Sequence, residues 1–193
     1  LAPLLVHCVD VDAADIELIA RSGAAVAHCP VANARLGHGI APWSAMQAAG
    51  IPIGLGTDSV GSNNRLDLLE EARIASILHR ANARSSTLLS PPELLRLCTL
   101  GGAEALGIAQ QVGSLEPGKD ADLCAVRLDG IQSTPVIDPT ASLFHSARGS
   151  DVVLTAVRGC ILFADDQFAT VDLAQARTRI EEAAERIRQA AVE

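Results

Sequence analysis

The sequence predicts an α/β protein whose first part is a parallel sheet covered on both faces. Three observations carry that prediction. Residues 1–81 repeat an apolar run, a loop and a helix three times. The runs (PLLVHCV over 3–9, AAVAHC over 24–29, IPIGLG over 51–56) are continuous apolar stretches, broken only by one His in each of the first two, rather than alternating, as in strands buried on both faces. Helical segments separate them, as the crossovers between parallel strands require. A doubly wound sheet and a (β/α)8 barrel both satisfy these observations.

The elements follow in order. Asp12 suits the N-cap of a helix over 13–22, with Ile16, Ile19 and Ala20 on one face and Gly23 as its stop. Pro30 ends the second run, and a loop with Gly37 and Gly39 follows. Pro42 suits the first position of a helix that closes at Gly50. Thr57 and Asp58 end the third run; a Ser/Gly/Asn loop then leads to a helix over 65–81 with Leu66, Leu69, Ile74 and Ile77 inward. Ser90 with Glu93 is a capping-box signal. It opens a helix to about Leu100, with a short helix to Leu106 behind it.

Past residue 110 the pattern changes. Glu116-Pro117-Gly118-Lys119 reads as a turn, 121–128 as a strand, and 152–157 with 161–163 as a hairpin around Arg158-Gly159. This short β region is expected to pair with strands outside the chain. Residues 172–191 predict an amphipathic helix with Leu173, Ile180 and Ile187 at heptad spacing. Its expected role is packing onto the body rather than binding a partner.

Composition narrows the function classes. The 193 residues are 49% hydrophobic with one Trp and no Tyr, so aliphatic side chains must fill the interior. The formal net charge is −8 and the positive charges are scattered, which argues against a nucleic-acid face or a polybasic membrane patch. No charge-free run of 18 apolar residues occurs, so no transmembrane helix is expected. The five cysteines are far apart, odd in number and without a CxxC pair. They read as buried reduced thiols, favouring a reducing, cytoplasmic compartment. The chain opens directly into an apolar run without an initiator Met, and a longer parent protein is expected.

The chemistry lies where the polar residues fall. Each apolar run carries, at or near its end, a side chain able to bind metal or move a proton: His7, His28 and Asp58. In α/β proteins catalysis gathers at the carboxyl ends of parallel strands, and a catalytic zinc commonly takes three protein ligands of these types. An Asp beside a metal can also accept a proton from the water it activates. A single His in an apolar strand is more often a satisfied core residue, and Asp58 alone could cap the next loop. Their coincidence at three run ends favours a shared site, and spacing alone ranks the three equally. His38, in its Gly-flanked loop, is a further candidate for substrate contact, while the Gly61-Ser62-Asn63-Asn64 loop reads as a cap for the next helix, with Asn placed there for backbone hydrogen bonding. His79 is expected half exposed on its helix, and the segment around His145 has no clear assignment. There is no G-x-S-x-G elbow, no GxxxxGK[ST] loop and no GxGxxG.

Read together, several segments resemble one family: His7-Cys8-Val9; Ala27-His28-Cys29-Pro30 with Asn33; Leu36-Gly37-His38-Gly39-Ile40-Ala41-Pro42; Gly54-Leu55-Gly56-Thr57-Asp58; Ser62-Asn63-Asn64 and Leu66-Asp67 leading to Glu70-Glu71-Ala72-Arg73; and Gly113 through Leu123. The chain resembles the amidohydrolase superfamily, most closely the aminohydrolases that include S-adenosylhomocysteine/methylthioadenosine deaminases and s-triazine hydrolases. The resemblance implies the C-terminal part of a metal-dependent (β/α)8 (TIM) barrel over 1–109, part of a small β-sandwich domain over 110–170 and a C-terminal helix over 171–193. It implies one divalent metal ion, Zn or Fe. It also implies hydrolysis of C–N bonds other than peptide bonds, chiefly deamination of a purine-like or other amino-heterocycle by a metal-bound hydroxide. Asp58 would be the metal ligand of the last barrel strand and a proton acceptor. His7, on the sixth, would contact the reacting centre or ligate metal. His28, His38 and Asn63 would support or contact the substrate.

Two departures matter. The family's His-x-His pair and its second His with a Glu acid/base have no counterpart here, so the chain is expected to carry only part of the site. Ser59 follows Asp58 where many relatives have Gly, which points to a different subgroup. The alternatives are a hydrolase of a cyclic amide or triazine-type substrate, and a non-catalytic fragment or interaction module. The expected partners are a small heterocyclic substrate and either further copies of the chain or the N-terminal half, with no nucleic acid and no membrane.

Overall fold

The computed structural model describes residues 2–190. Residue 191 of the expected 172–191 helix and the end of the 171–193 segment lie outside them. Three short parallel strands, β1 (Leu4–Val6), β2 (Ala25–His28) and β3 (Ile53–Leu55), form one sheet in chain order. Leu5 pairs with Val26, and Ala27 with Gly54. The ladder extends past the strand ends: His7 N–H donates to Ala27 O at 3.0 Å, and Gly56 N–H to His28 O at 2.9 Å.

Helix α1 (Ala13–Ser22) links β1 to β2. The Asp12 carboxylate accepts the Ala14 and Asp15 N–H groups at 2.8 and 2.9 Å, Asp15 returns the bond, and Gly23 leaves the helix at φ 71°. Between β2 and β3 lie α2 (Pro30–Arg35) and α3 (Trp43–Ala48). The first was expected to be loop. Pro30 at its N-terminus removes a donor that would have no partner there anyway. Pro42 precedes α3 as its N-cap rather than forming its first residue. After β3 come α4 (Val60–Asn63), in the expected Ser/Gly/Asn loop, then α5 (Leu68–Ala83), α6 (Pro91–Cys98) and α7 (Leu100–Ala105). The Ser90–Glu93 capping box forms. Helix α7 packs tightly on β3: a Cβ built on Gly54 would stand 2.8 Å from the Gly102 Cα.

Helix α5 turns a different face inward from the one expected. Leu66 lies before the helix and is 69% exposed, and Ile77 is 53% exposed. The buried face is Glu71, Ala72, Ala75, Ser76 and His79, so His79 is buried, not half exposed. Small residues let α5 approach the sheet closely, and its polar residues find partners inside.

The second sheet is antiparallel, β4 (Leu123–Val126), β5 (Val152–Val157), β6 (Cys160–Ala164) and β7 (Gln167–Phe168), in that order. The β5–β6 turn uses Arg158 at φ 50° and Gly159 at φ 73°, the left-handed pair that a two-residue hairpin needs. The segment around His145 becomes α8 (Pro139–His145). It packs on α5 and α6 and buries Phe144 between them. The core gathers Ile16, Val26, Met46, Ile53, Leu89, Leu94 and Phe144 around the first sheet.

Helix α9 (Leu173–Ala190) closes the described chain with no buried side chain. Leu173, Ile180 and Ile187 are 55%, 68% and 70% exposed, so the expectation that they pack onto the body is overturned. Cys29 is buried, but Cys124 and Cys160 are exposed on the antiparallel sheet; all five thiols are free. Among the described residues no helix is long and apolar enough to cross a membrane.

Candidate metal and catalytic site

The carboxyl ends of β1, β2 and β3 deliver His7, His28 and Asp58 to one rim. Beyond β1 the backbone turns left-handed, with His7 at φ 71° and Cys8 at φ 47°; beyond β3, Asp58 stands at φ 57°. Such angles disfavour side chains with a Cβ and persist where the surroundings hold them.

His7 Nε2 lies 3.8 Å from Asp58 Oδ2, and the two side chains are 39% and 28% exposed. The other Asp58 oxygen, Oδ1, accepts the Ser59 N–H at 2.6 Å. The Ser62 hydroxyl, the Ser59 N–H and the neighbouring His7 ring hold the Asp58 carboxyl below the usual carboxylate range. Asp58 is therefore an ionised acceptor with Oδ2 turned toward His7.

His28 does something else. Its ring is 1% exposed, and its Nε2 lies 2.9 Å from Nε2 of His79. Trp43 packs beside both rings, its centroid 5.9 Å from each. Burial, then the neighbouring His79 and His7, push His28 down to about 3, and burial pushes His79 to about 4. Both rings are neutral near pH 7, and one donates to the other. The equal three-ligand set suggested by spacing is thus not assembled: His28 Nε2 pairs with His79, and the ring does not converge with His7 and Asp58. Among the described residues no group of three His, Cys, Asp or Glu side chains converges on one point.

His38 is exposed in the loop between α2 and α3, where its N–H donates to Asn33 O at 2.9 Å. Asn63, 5% exposed, points inward. Its amide donates to Thr57 O at 2.6 Å and to the Glu71 carboxylate. Glu71, 1% exposed, also accepts the Val31 N–H at 3.2 Å. Burial pushes Glu71 above the usual range, while the Val31 and Asn63 donors pull the other way.

Sequence reasoning assigned no role to Glu71 and misjudged His79. The signal available was their spacing. Residues 71, 72, 75, 76 and 79 share one helical face, but its residues are small or polar and the larger apolar residues drew the assignment elsewhere.

The His7–Asp58 pair offers an imidazole nitrogen and a carboxylate oxygen, the donor types a divalent zinc or iron takes. Two converging donors of these types fit a share of such a site.

Comparison with known proteins identifies the family. The amidohydrolase family profile matches residues 2–162. A 5-methylthioadenosine/S-adenosylhomocysteine deaminase of Moorella thermoacetica is 40% identical over 88% of this chain and 40% of its own. An S-triazine hydrolase of Gordonia rubripertincta is 35% identical over 84% of this chain and 34% of its own. The crystal structure of an adenosine deaminase from Xanthomonas campestris with bound zinc superposes with a TM-score of 0.92 at 35% identity. It covers 96% of this chain and 42% of that one. The chain thus spans about two fifths of the length of the first curated relatives it matches.

Proposed function

The chain belongs to the amidohydrolase family, and we propose that it supplies the His7–Asp58 share of the metal site of an aminohydrolase acting on amino-heterocycles. In this reading residues 1–109 are the C-terminal part of a (β/α)8 barrel, 110–170 part of a small β-sandwich domain and 171–193 a C-terminal helix. The remaining ligands come from polypeptide outside the chain. The observation that carries the reading is the approach of His7 Nε2 to Asp58 Oδ2, 3.8 Å apart at the carboxyl ends of two parallel strands.

A bound divalent cation, with zinc favoured by the zinc-bound relative, would supply the Lewis acid that activates water. The chain's own residues do the rest. Asp58 keeps Oδ1 on the Ser59 N–H; its carboxylate would help hold the metal and takes a proton from the attacking water. His7, facing Oδ2, would be the second residue to hold the metal and stands beside the reacting centre. The hydroxyl of the water adds to the ring carbon bearing the amino group, the proton taken by Asp58 passes to the leaving nitrogen, and ammonia departs. His38, exposed in its loop, contacts the substrate. His28 and Asn63, both buried, serve the rim from behind.

The test is ammonia release from 5′-methylthioadenosine and S-adenosylhomocysteine by zinc-loaded protein containing this chain and the rest of the family's length. Activity that Asp58→Asn lowers about 1,000-fold or more supports the reading; full activity in that variant contradicts it. The triazine-hydrolase likeness favours a second reading, hydrolysis of a triazine substituent. Turnover of a chlorotriazine without ammonia release would identify it.

A further inference from the structure

We propose that Glu71 is a positioning residue for Asp58, acting through the Asn63 amide that bridges the Glu71 carboxylate and the Thr57 carbonyl. The consequence for catalysis rests on the reading of Asp58 given above; the geometry does not.

Glu71 is a carboxylate 1% exposed, and its partners are two N–H donors rather than a cation. A buried carboxylate is retained only where donors satisfy it. Here they divide cleanly. One oxygen accepts the Val31 N–H at the start of α2. The other accepts one hydrogen of the Asn63 amide, whose second hydrogen goes to Thr57 O at 2.6 Å. A primary amide has two hydrogens, and both are spent.

The Thr57 carbonyl belongs to the peptide that leads into Asp58. Fixing that carbonyl fixes the rotation about the adjoining bonds, including the φ of Asp58, which stands at +57°. With the peptide held and Oδ1 taken by the Ser59 N–H, Oδ2 is left facing His7. The Asn63 end is itself anchored: its backbone carbonyl accepts an Arg35 guanidinium N–H at 3.2 Å, and α4 ends there. The relay therefore runs from the buried face of α5, through α4, to the exposed proton acceptor. A purely packing role for Glu71 would need neither the second amide hydrogen nor the Thr57 carbonyl.

The Ser59 amide proton reports on this directly, because it donates to Asp58 Oδ1 at 2.6 Å. The experiment compares amide spectra of the 15N-labelled 193-residue chain with those of Glu71→Gln and Asn63→Ala. Glu71→Gln preserves volume and carries the test if Asn63→Ala loses its fold. The Gly159 amide, which donates to Ala121 O in the antiparallel sheet, is the control for folding.

The expected result is an upfield move of Ser59 in both variants, no further move in the double variant, and an unmoved Gly159. A Ser59 resonance at its original position in folded Glu71→Gln overturns the proposal, as does a double variant whose shift is the sum of the two. This readout needs neither metal nor substrate. A shifted Ser59 supports the relay even if zinc-dependent ammonia release fails, and an unshifted one overturns it even if that release is found. Where release is found, Glu71→Gln lowers kcat with KM little changed, by up to about 100-fold for a proton acceptor displaced on the ångström scale. A loss confined to KM contradicts the assignment.

Discussion

The two sheets of this molecule are both well formed, yet only one is covered. The parallel sheet β1–β2–β3 has helices packed around it, and the main hydrophobic cluster collects there. The antiparallel sheet β4–β7 buries little beyond Ala156, and helix α9 buries nothing. Backbone hydrogen bonds and turn chemistry are local and form in either region. Burial of apolar area is what stabilises a packed element, and it needs a second surface. Leu123, Ile161, Phe168, Ile180 and Ile187 are 37–70% exposed. The first region is organised to hold polar groups at strand ends; the second presents an apolar surface that the described residues leave uncovered.

That contrast is open to direct attack. The largest effect is expected from the same truncation in each region. Phe144, 1% exposed, sits under α5 and α6, and Phe144→Ala should cost about 3–5 kcal/mol. Phe168, 46% exposed, touches Phe163 at a 4.8 Å centroid distance, and Phe168→Ala should cost about 1 kcal/mol. Urea midpoints of both variants give the comparison; equal costs would show the second sheet to be as well covered as the first.

A smaller effect concerns the closeness of α7 and β3. Ala at Gly54 would press its Cβ to 2.8 Å from the Gly102 Cα, backbone against backbone. A loss of about 1–3 kcal/mol should follow, seen as a lowered melting temperature. An unchanged melt would mean that the two elements part easily.

The buried histidines should make stability pH-dependent. Their folded pKa values, about 3 and about 4, lie below the unfolded value near ~6.5. The contribution is present in full above ~6.5 and is lost as pH falls through that value toward 4, because the unfolded chain takes up the protons first. The slope is at most about 1.4 kcal/mol per pH unit for each ring. Urea midpoints at pH 7.5, 6 and 5 should fall in that order, and His79→Leu should flatten the fall. The smallest effect belongs to α9. Ile180→Ser should move the urea midpoint by no more than about 0.5 kcal/mol, and a loss above 2 kcal/mol would place that stripe against a packed surface.

Much of this was legible in the residues. The three apolar runs became three parallel strands, Asp12 and Gly23 bounded α1, and Arg158-Gly159 made the hairpin turn, because caps, turns and run lengths are local signals. The rim positions of His7 and Asp58 were legible for the same reason. The inward face of α5 was not. Its buried residues are Glu, Ala, Ser and His, and only the tertiary partners Asn63, Val31 and His28 make those side chains acceptable inside. The amphipathic pattern of α9 was read correctly as a helix, but periodicity shows which face is apolar and not what covers it. Backbone hydrogen bonding by Asn63 was legible in its loop and is met at Thr57 O, but its bridge to Glu71 depends on a carboxylate eight positions along the chain, and no local rule points to it.

The measurement that bears most directly on the account is zinc per chain on purified 193-residue protein, by elemental mass spectrometry with sedimentation run beside it. With His7 and Asp58 as only a share of a metal site, the monomeric chain should retain far less than one zinc, and one per chain should appear only when the rest of the family's polypeptide is present. One zinc held by the monomeric chain alone, and lost in Asp58→Ala, would contradict the account, since the site would then be complete within these residues.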